Sequence, residues 1–179
     1  YGTSFADFRG KGDTLENCTR LYDSDDHPEI LADKVVFMEM ITDRYYSVVA
    51  KATRKYDPNH LLFAERLAGR GPHMYLESYQ RPFIEALWRS VGRYCDAFTI
   101  NFYGSVPASE KNHQYFSRIY KETGGLPILI SENDTQAKDT IFPWRWVPSH
   151  SGKAWAFQKF IDGCNSLRVG PDGDAPIVG

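Results

Sequence analysis

From Glu29 onward, apolar residues recur at three- and four-residue steps: Leu31, Val35, Met38, Ile41, Tyr45, Val48 or Val49, Ala52 and Tyr56. That spacing predicts a long amphipathic helix. Pro58 disfavours helical geometry at Asp57, so the helix is expected to end there. Leu61-Leu62-Phe63-Ala64 follows at once as a continuous apolar run, the pattern of a parallel strand covered on both faces. The unit then repeats. Pro82 suits the first turn of a helix whose stripe is Phe83, Ala86, Leu87 and Val91, and Asp96-Ala97-Phe98-Thr99-Ile100-Asn101 is the next strand. Tyr115, Phe116, Ile119 and Tyr120 mark another helix, stopped by Gly124-Gly125. Pro127-Ile128-Leu129-Ile130-Ser131 is a third strand, and a loop to about Ser151 precedes a helix carrying Trp155, Phe157, Phe160 and Ile161. Pro176-Ile177-Val178 opens a fourth strand, whereas residues 1–28, rich in Gly, Asp, Ser and Thr, read as a loop or insertion.

Regular alternation of helix and strand over 29–179 predicts an α/β fold with a parallel sheet. No GxGxxG or GxxxxGK[ST] loop is present, which favours a barrel over a nucleotide-binding doubly wound sheet. A complete (β/α)8 barrel takes about 250 residues, and the four expected strands here are half its complement. The expectation is therefore a partial (β/α)8 TIM barrel, a C-terminal half, with an N-terminal half missing. The short apolar run at the very end of the chain points the same way, toward an internal piece of a longer protein.

Composition narrows the function. The 179 residues carry 21 basic and 23 acidic side chains, a net charge of -2, which gives no electrostatic footprint for nucleic acid. No stretch approaches the roughly 20 apolar residues that span a bilayer. Cys18, Cys95 and Cys164 are too few and too scattered for a disulfide framework or a CxxC metal site. No HxH, HExxH or GxSxG motif is present, so neither a metal nor serine hydrolase chemistry is expected. The 11 Tyr, 11 Phe and 4 Trp fill a core first, and beyond that hint at a surface for a flat ligand such as a carbohydrate.

Barrel chemistry sits where strands end. The residues just past the apolar runs are Glu65-Arg66, Asn101-Phe102-Tyr103-Gly104 and Glu132-Asn133-Asp134. A carboxylate at such a mouth suits a nucleophile or base. Each position also has a structural role open to it: Glu65-Arg66 as an ion pair, Asn101 as a strand-end hydrogen bonder, Tyr103 as core, and Glu132 as a strand-terminating charge.

Three segments in order, Tyr56-Asp57-Pro58-Asn59-His60-Leu61-Leu62-Phe63, Asp96 to Tyr103, and Leu126 to Glu132, resemble successive segments of the clan A retaining glycoside hydrolases of the β-agarase and β-galactosidase groups. The resemblance covers nearly the whole chain and implies barrel strands five to eight. It implies Glu132 as catalytic nucleophile, with Tyr103 as the strand-six tyrosine that orients it. Arg66 and Asn101 fall to substrate binding, and Trp144 and Trp146, on the loop after strand seven, to stacking on sugar rings. No cofactor is implied, since two carboxyl groups about 5–5.5 Å apart suffice. One departure matters. The clan's acid/base glutamate follows an Asn at the end of strand four, and no Asn-Glu pair occurs here, so the acid/base is expected on the missing half and the isolated chain is expected to be inactive. The partner is a poly- or oligosaccharide, and such enzymes are exported, implying an extracellular or periplasmic location. The alternative is a non-catalytic carbohydrate-binding barrel keeping the same aromatic platform.

Overall fold

The computed structural model describes residues 28–64, 67–68, 81–103, 107–133, 136–137 and 146–178. The elements run in the order α1 (Pro28–Tyr56), β1 (Leu67–Ala68), α2 (Arg81–Tyr94), β2 (Phe98–Asn101), α3 (Glu110–Glu122), β3 (Ile128–Glu132), β4 (Gln136–Ala137), β5 (Trp146–Val147) and α4 (His150–Ser166). The expected α/β alternation is thus present. The loop expected at the amino end lies outside the described residues, apart from Pro28, which opens α1.

Strands β1, β2 and β3 form a parallel sheet in that order. A parallel bridge from Phe63 to Ala97 carries the pairing of the first segment with β2 toward its amino end, and one from Ile128 to Ile177 adds a further segment beside β3. Each strand therefore lies beside the strand before it in sequence. The first apolar run is less regular than its composition suggests: Phe63 makes a single bridge, and the strand proper comes at Leu67–Ala68. Two short strands in the loop after β3, β4 and β5, pair in parallel and carry no periodic signal by which the sequence could announce them.

One face of the sheet takes the helices. Leu62, Ala64, Phe98, Ile100, Phe102, Ile128, Ile130 and Ile177 share one cluster with Tyr46 of α1, Trp88 and Val91 of α2, Tyr115, Phe116 and Ile119 of α3, and Phe160 and Cys164 of α4. Trp88, absent from the expected stripe of α2, meets Phe98 and Tyr115 edge-on at centroid distances of 6.1 and 5.9 Å. Such pairs add about 0.5–1.5 kcal/mol to simple burial. Alternate residues point the other way. There Leu61, Phe63 and Val178 remain 69%, 48% and 65% exposed, whereas Ala97, just before β2, and Thr99 within it are buried.

Helix α1 shows what periodicity missed. Leu31, Val35, Met38, Thr42, Tyr46, Val49 and Thr53 are among its buried and half-buried positions, while Ile41, Tyr45, Val48, Ala52 and Tyr56 are exposed. The stripe shifts by one residue beyond Met38 because α1 is apolar on two sides, and a polar residue decides between them. The Thr42 hydroxyl donates to the Met38 carbonyl (2.7 Å) and is hydrogen-bonded to Ser90 of α2 at 2.8 Å, which makes its burial tolerable. Along α4, Phe160 is buried but Trp155 and Phe157 are exposed.

Turns and charges complete the frame. Gly124 and Gly125 end α3 with φ of 74° and 91°, a backbone region most side chains avoid. A Cβ on Gly92 would lie 2.3 Å from the Thr123 carbonyl oxygen, so α2 touches the end of α3 backbone to backbone. The buried Glu85 carboxylate takes two hydrogen bonds from Arg118, at 2.9 and 3.1 Å. Arg118 also pairs with Glu122 at 3.1 Å, and Glu122 with Arg89 at 3.0 Å, an ionic seam between α2 and α3. At the head of α4, the Ser149 hydroxyl accepts from the Gly152 amide at 3.1 Å, an N-cap.

Candidate functional site

Parallel pairing brings the carboxyl ends of β1, β2 and β3 to one rim of the sheet. On β2, Phe98, Ile100 and Phe102 enter the helix layer, and Thr99, Asn101 and Tyr103 alternate with them. On β3 strict alternation from Ile128 and Ile130 would send residue 132 into the helix layer as well. It does not go there. Ile100 pairs with Ile130, but Asn101 pairs with Glu132, so Ser131 is an extra residue in β3. Such a bulge re-aims the side chain that follows it, and it turns Glu132 toward Asn101 and Tyr103.

The resulting cluster is tightly connected. The Tyr103 hydroxyl donates to Oε1 of Glu132, and the Asn101 amide donates to Oε2 at 3.2 Å. The Asn101 carbonyl oxygen accepts from the Ser131 hydroxyl at 3.2 Å, which fixes the orientation of the amide. The backbone N–H of Phe102 donates to the Glu132 carbonyl at 2.9 Å, and the Asn133 side chain donates to the Phe102 carbonyl at 2.6 Å. A carboxylate offers both oxygens as acceptors, and a donor on each fixes the plane of the Glu132 group. Tyr103 is 38% exposed, so the rim is open to a ligand.

Three of the residues expected at the site, Asn101, Tyr103 and Glu132, are brought together. Asn101 is engaged by the carboxylate and Ser131, a different use from the expected contact with a substrate hydroxyl. Arg66 and Trp144 lie outside the described residues. Trp146 lies in β5, on the loop that follows β3, and its side chain is outside the description. The contributions of Ser131 and Asn133 were not foreseen. The only signal for either was a polar residue at a strand end. Among the described residues no group of three or more His, Cys, Asp and Glu could hold a metal ion, and no helix is long and apolar enough to cross a membrane.

The opposite rim holds another carboxylate. Asp96, just before β2, accepts from the Leu62 amide at 2.6 Å and from Arg54 on the same oxygen, Oδ2, while Arg54 also donates to the His60 carbonyl at 2.6 Å. The Leu62 amide first, and Arg54 second, hold the Asp96 carboxyl below its usual pKa. The Tyr56–Phe63 segment and Asp96 thus form a structural corner joining α1 to the sheet. Elsewhere Cys95 and Cys164 are buried, and burial pushes the Cys164 thiol up to about 11, so Cys164 is inert.

No family model matches the chain, and no curated protein matches it. Solved structures do. An exo-beta-agarase superposes with a TM-score of 0.60 at 20% identity, over 83% of this chain and 17% of its own. BpGH50 gives a TM-score of 0.62 at 24% identity, over 87% and 30%. PfGH50B gives 0.55 at 17% identity, over 81% and 18%. At these identities the likeness is one of fold. The chain spans less than a third of the length of each.

Proposed function

We propose that this chain is part of a retaining, agarase-like glycoside hydrolase, the half of a (β/α)8 barrel that carries the nucleophile, and that Glu132 is that nucleophile. The observation that carries the reading is the pair of donors, Tyr103 and Asn101, on the two oxygens of a carboxylate at the carboxyl rim of a parallel sheet. The barrel is supported by a sheet whose strands follow in sequence order with the described helices on one face. Parallel sheets are normally covered on both sides, and a barrel covers the second by closing on itself. The apolar face of α1 turned away from the core, with Phe37, Met40, Ile41, Tyr45 and Val48 exposed, then meets a neighbouring βα unit. The substrate proposed is an agarose-type polysaccharide, after the exo-beta-agarase that shares the fold.

In this reading a Glu132 oxygen attacks the anomeric carbon as the bond to the leaving sugar oxygen breaks. That oxygen takes a proton from an acid on the other half of the barrel. Water, deprotonated by the same group, then displaces Glu132 from the anomeric carbon and the carboxylate is restored. Tyr103 and Asn101 hold the attacking group in line, where small misplacements are costly. Trp144 and Trp146 would wall the sugar subsite, with Arg66 on its hydroxyls. The chain alone, without the acid, does not hydrolyse polysaccharide, and the unpaired edges of its sheet lead it to self-associate. The test uses the longer protein bearing the upstream strands. Glu132→Ala should abolish hydrolysis, and added azide should restore turnover of an activated aryl glycoside, yielding a glycosyl azide of inverted configuration. Retained hydrolysis of agarose oligosaccharides by this variant would remove Glu132 from the role.

A further inference from the structure

We propose that Asn133 is a positioning residue, which holds Tyr103 in place against Glu132 by gripping the peptide group before it; the inference rests on the nucleophile reading for its catalytic consequence. Residue 102 is fixed on every side available to it. Its N–H donates to the Glu132 carbonyl at 2.9 Å, and its carbonyl accepts the Asn133 amide at 2.6 Å. Its ring is 2% exposed, between Phe116 and Phe160 at centroid distances of 5.0 and 6.4 Å. The Phe102 carbonyl belongs to the peptide that leads into Tyr103. Rotation of that peptide swings the tyrosine away from the carboxylate, and the Asn133 amide opposes the rotation. The bulge at Ser131 makes this geometry available, because it turns Glu132 to one side of β3 and leaves the next residue to reach β2 from the other. One two-residue unit therefore supplies both the carboxylate and, through Asn133, the restraint on its hydrogen-bond donor.

The proposal is tested by separating the donor from its volume. Asn133→Asp keeps the size but presents a carboxylate to the Phe102 carbonyl, Asn133→Ala removes both, and Asn133→Gln retains an amide donor. In the longer protein bearing the upstream strands, the Tyr103 hydroxyl proton is assigned by proton NMR from its loss in Tyr103→Phe. It is expected to exchange slowly in the parent and in Asn133→Gln, and to vanish into solvent exchange in Asn133→Asp and Asn133→Ala while the circular dichroism spectrum is unchanged. Its persistence in both, or its absence from the parent, overturns the proposal. In the longer protein, Asn133→Asp should lower kcat by about 10²-fold with KM little changed, and should cost nothing further in a Tyr103→Phe background. Full additivity of the two substitutions would mean that Asn133 does not act through Tyr103. The NMR result stands independently of Glu132 chemistry, so failure of the nucleophile assignment, seen as hydrolysis by Glu132→Ala, is distinguishable from failure of the positioning role.

Discussion

The two rims of the sheet each hold a carboxylate beside β2, and they treat it differently. At the amino rim, one oxygen of Asp96 takes both a backbone amide and the guanidinium of Arg54. The charge is met by an opposite charge, and both donors lie within the corner they stabilise. At the carboxyl rim, Glu132 takes a phenol and a side-chain amide, one on each oxygen. These two donors are neutral dipoles, and together they fix the plane of the group. A carboxylate paired with a cation is suited to holding a chain in place. A carboxylate gripped through both oxygens at an open rim is suited to presenting itself in one direction.

This contrast is broken most directly by Glu132→Gln. In the longer protein it should lower turnover by at least about 10³-fold, equivalent to about 4 kcal/mol in the barrier, with the urea midpoint shifted by no more than an ordinary surface substitution would shift it. Tyr103→Phe should follow at about 10²-fold in kcat, again with little change in the unfolding curve. Asp96→Ala should do the reverse. It removes the acceptor of the Leu62 amide and of Arg54, and at about one-third exposure the loss should be about 1–2 kcal/mol in stability, with activity per folded molecule unchanged. The smallest effect is on acid stability. The folded pKa of Asp96 is depressed, so its stabilisation is fully present above the unfolded value of about 3.9 and is lost as pH falls through the folded value. Urea midpoints of the parent and Asp96→Asn should therefore differ at neutral pH and converge only below about pH 4. A constant difference across that range would show that Asp96 stabilises by packing and not by charge.

The order of elements was legible because helices and strands leave different periods in the sequence, and Pro58, Gly124 and Gly125 punctuate them. Glu132, Tyr103 and Asn101 were legible too, as polar residues placed directly after apolar runs. The buried face of α1 was not. Two of its sides are apolar, and only the partner on α2, Ser90, reveals that Thr42 faces inward. Trp88 escaped for a related reason: it lies one step beyond the stripe that α2 shows on a helical wheel, and Phe98 and Tyr115 draw it in. The close contact of Gly92 with Thr123 joins backbones far apart in sequence, which no local pattern records. Nor does any residue type announce the register shift at Ser131, since a serine fits a regular strand end equally well.

That shift has a further consequence. In a strand, direction alternates like the parity of a number, and one added residue changes odd to even for everything downstream. Were Ser131 to pair with Asn101 in regular register, Glu132 would point where Ile128 and Ile130 point, among the rings of the helix layer, with Asn133 taking its place beside Tyr103. The chemistry of this rim thus depends as much on the register in which β3 is paired as on which residues it contains.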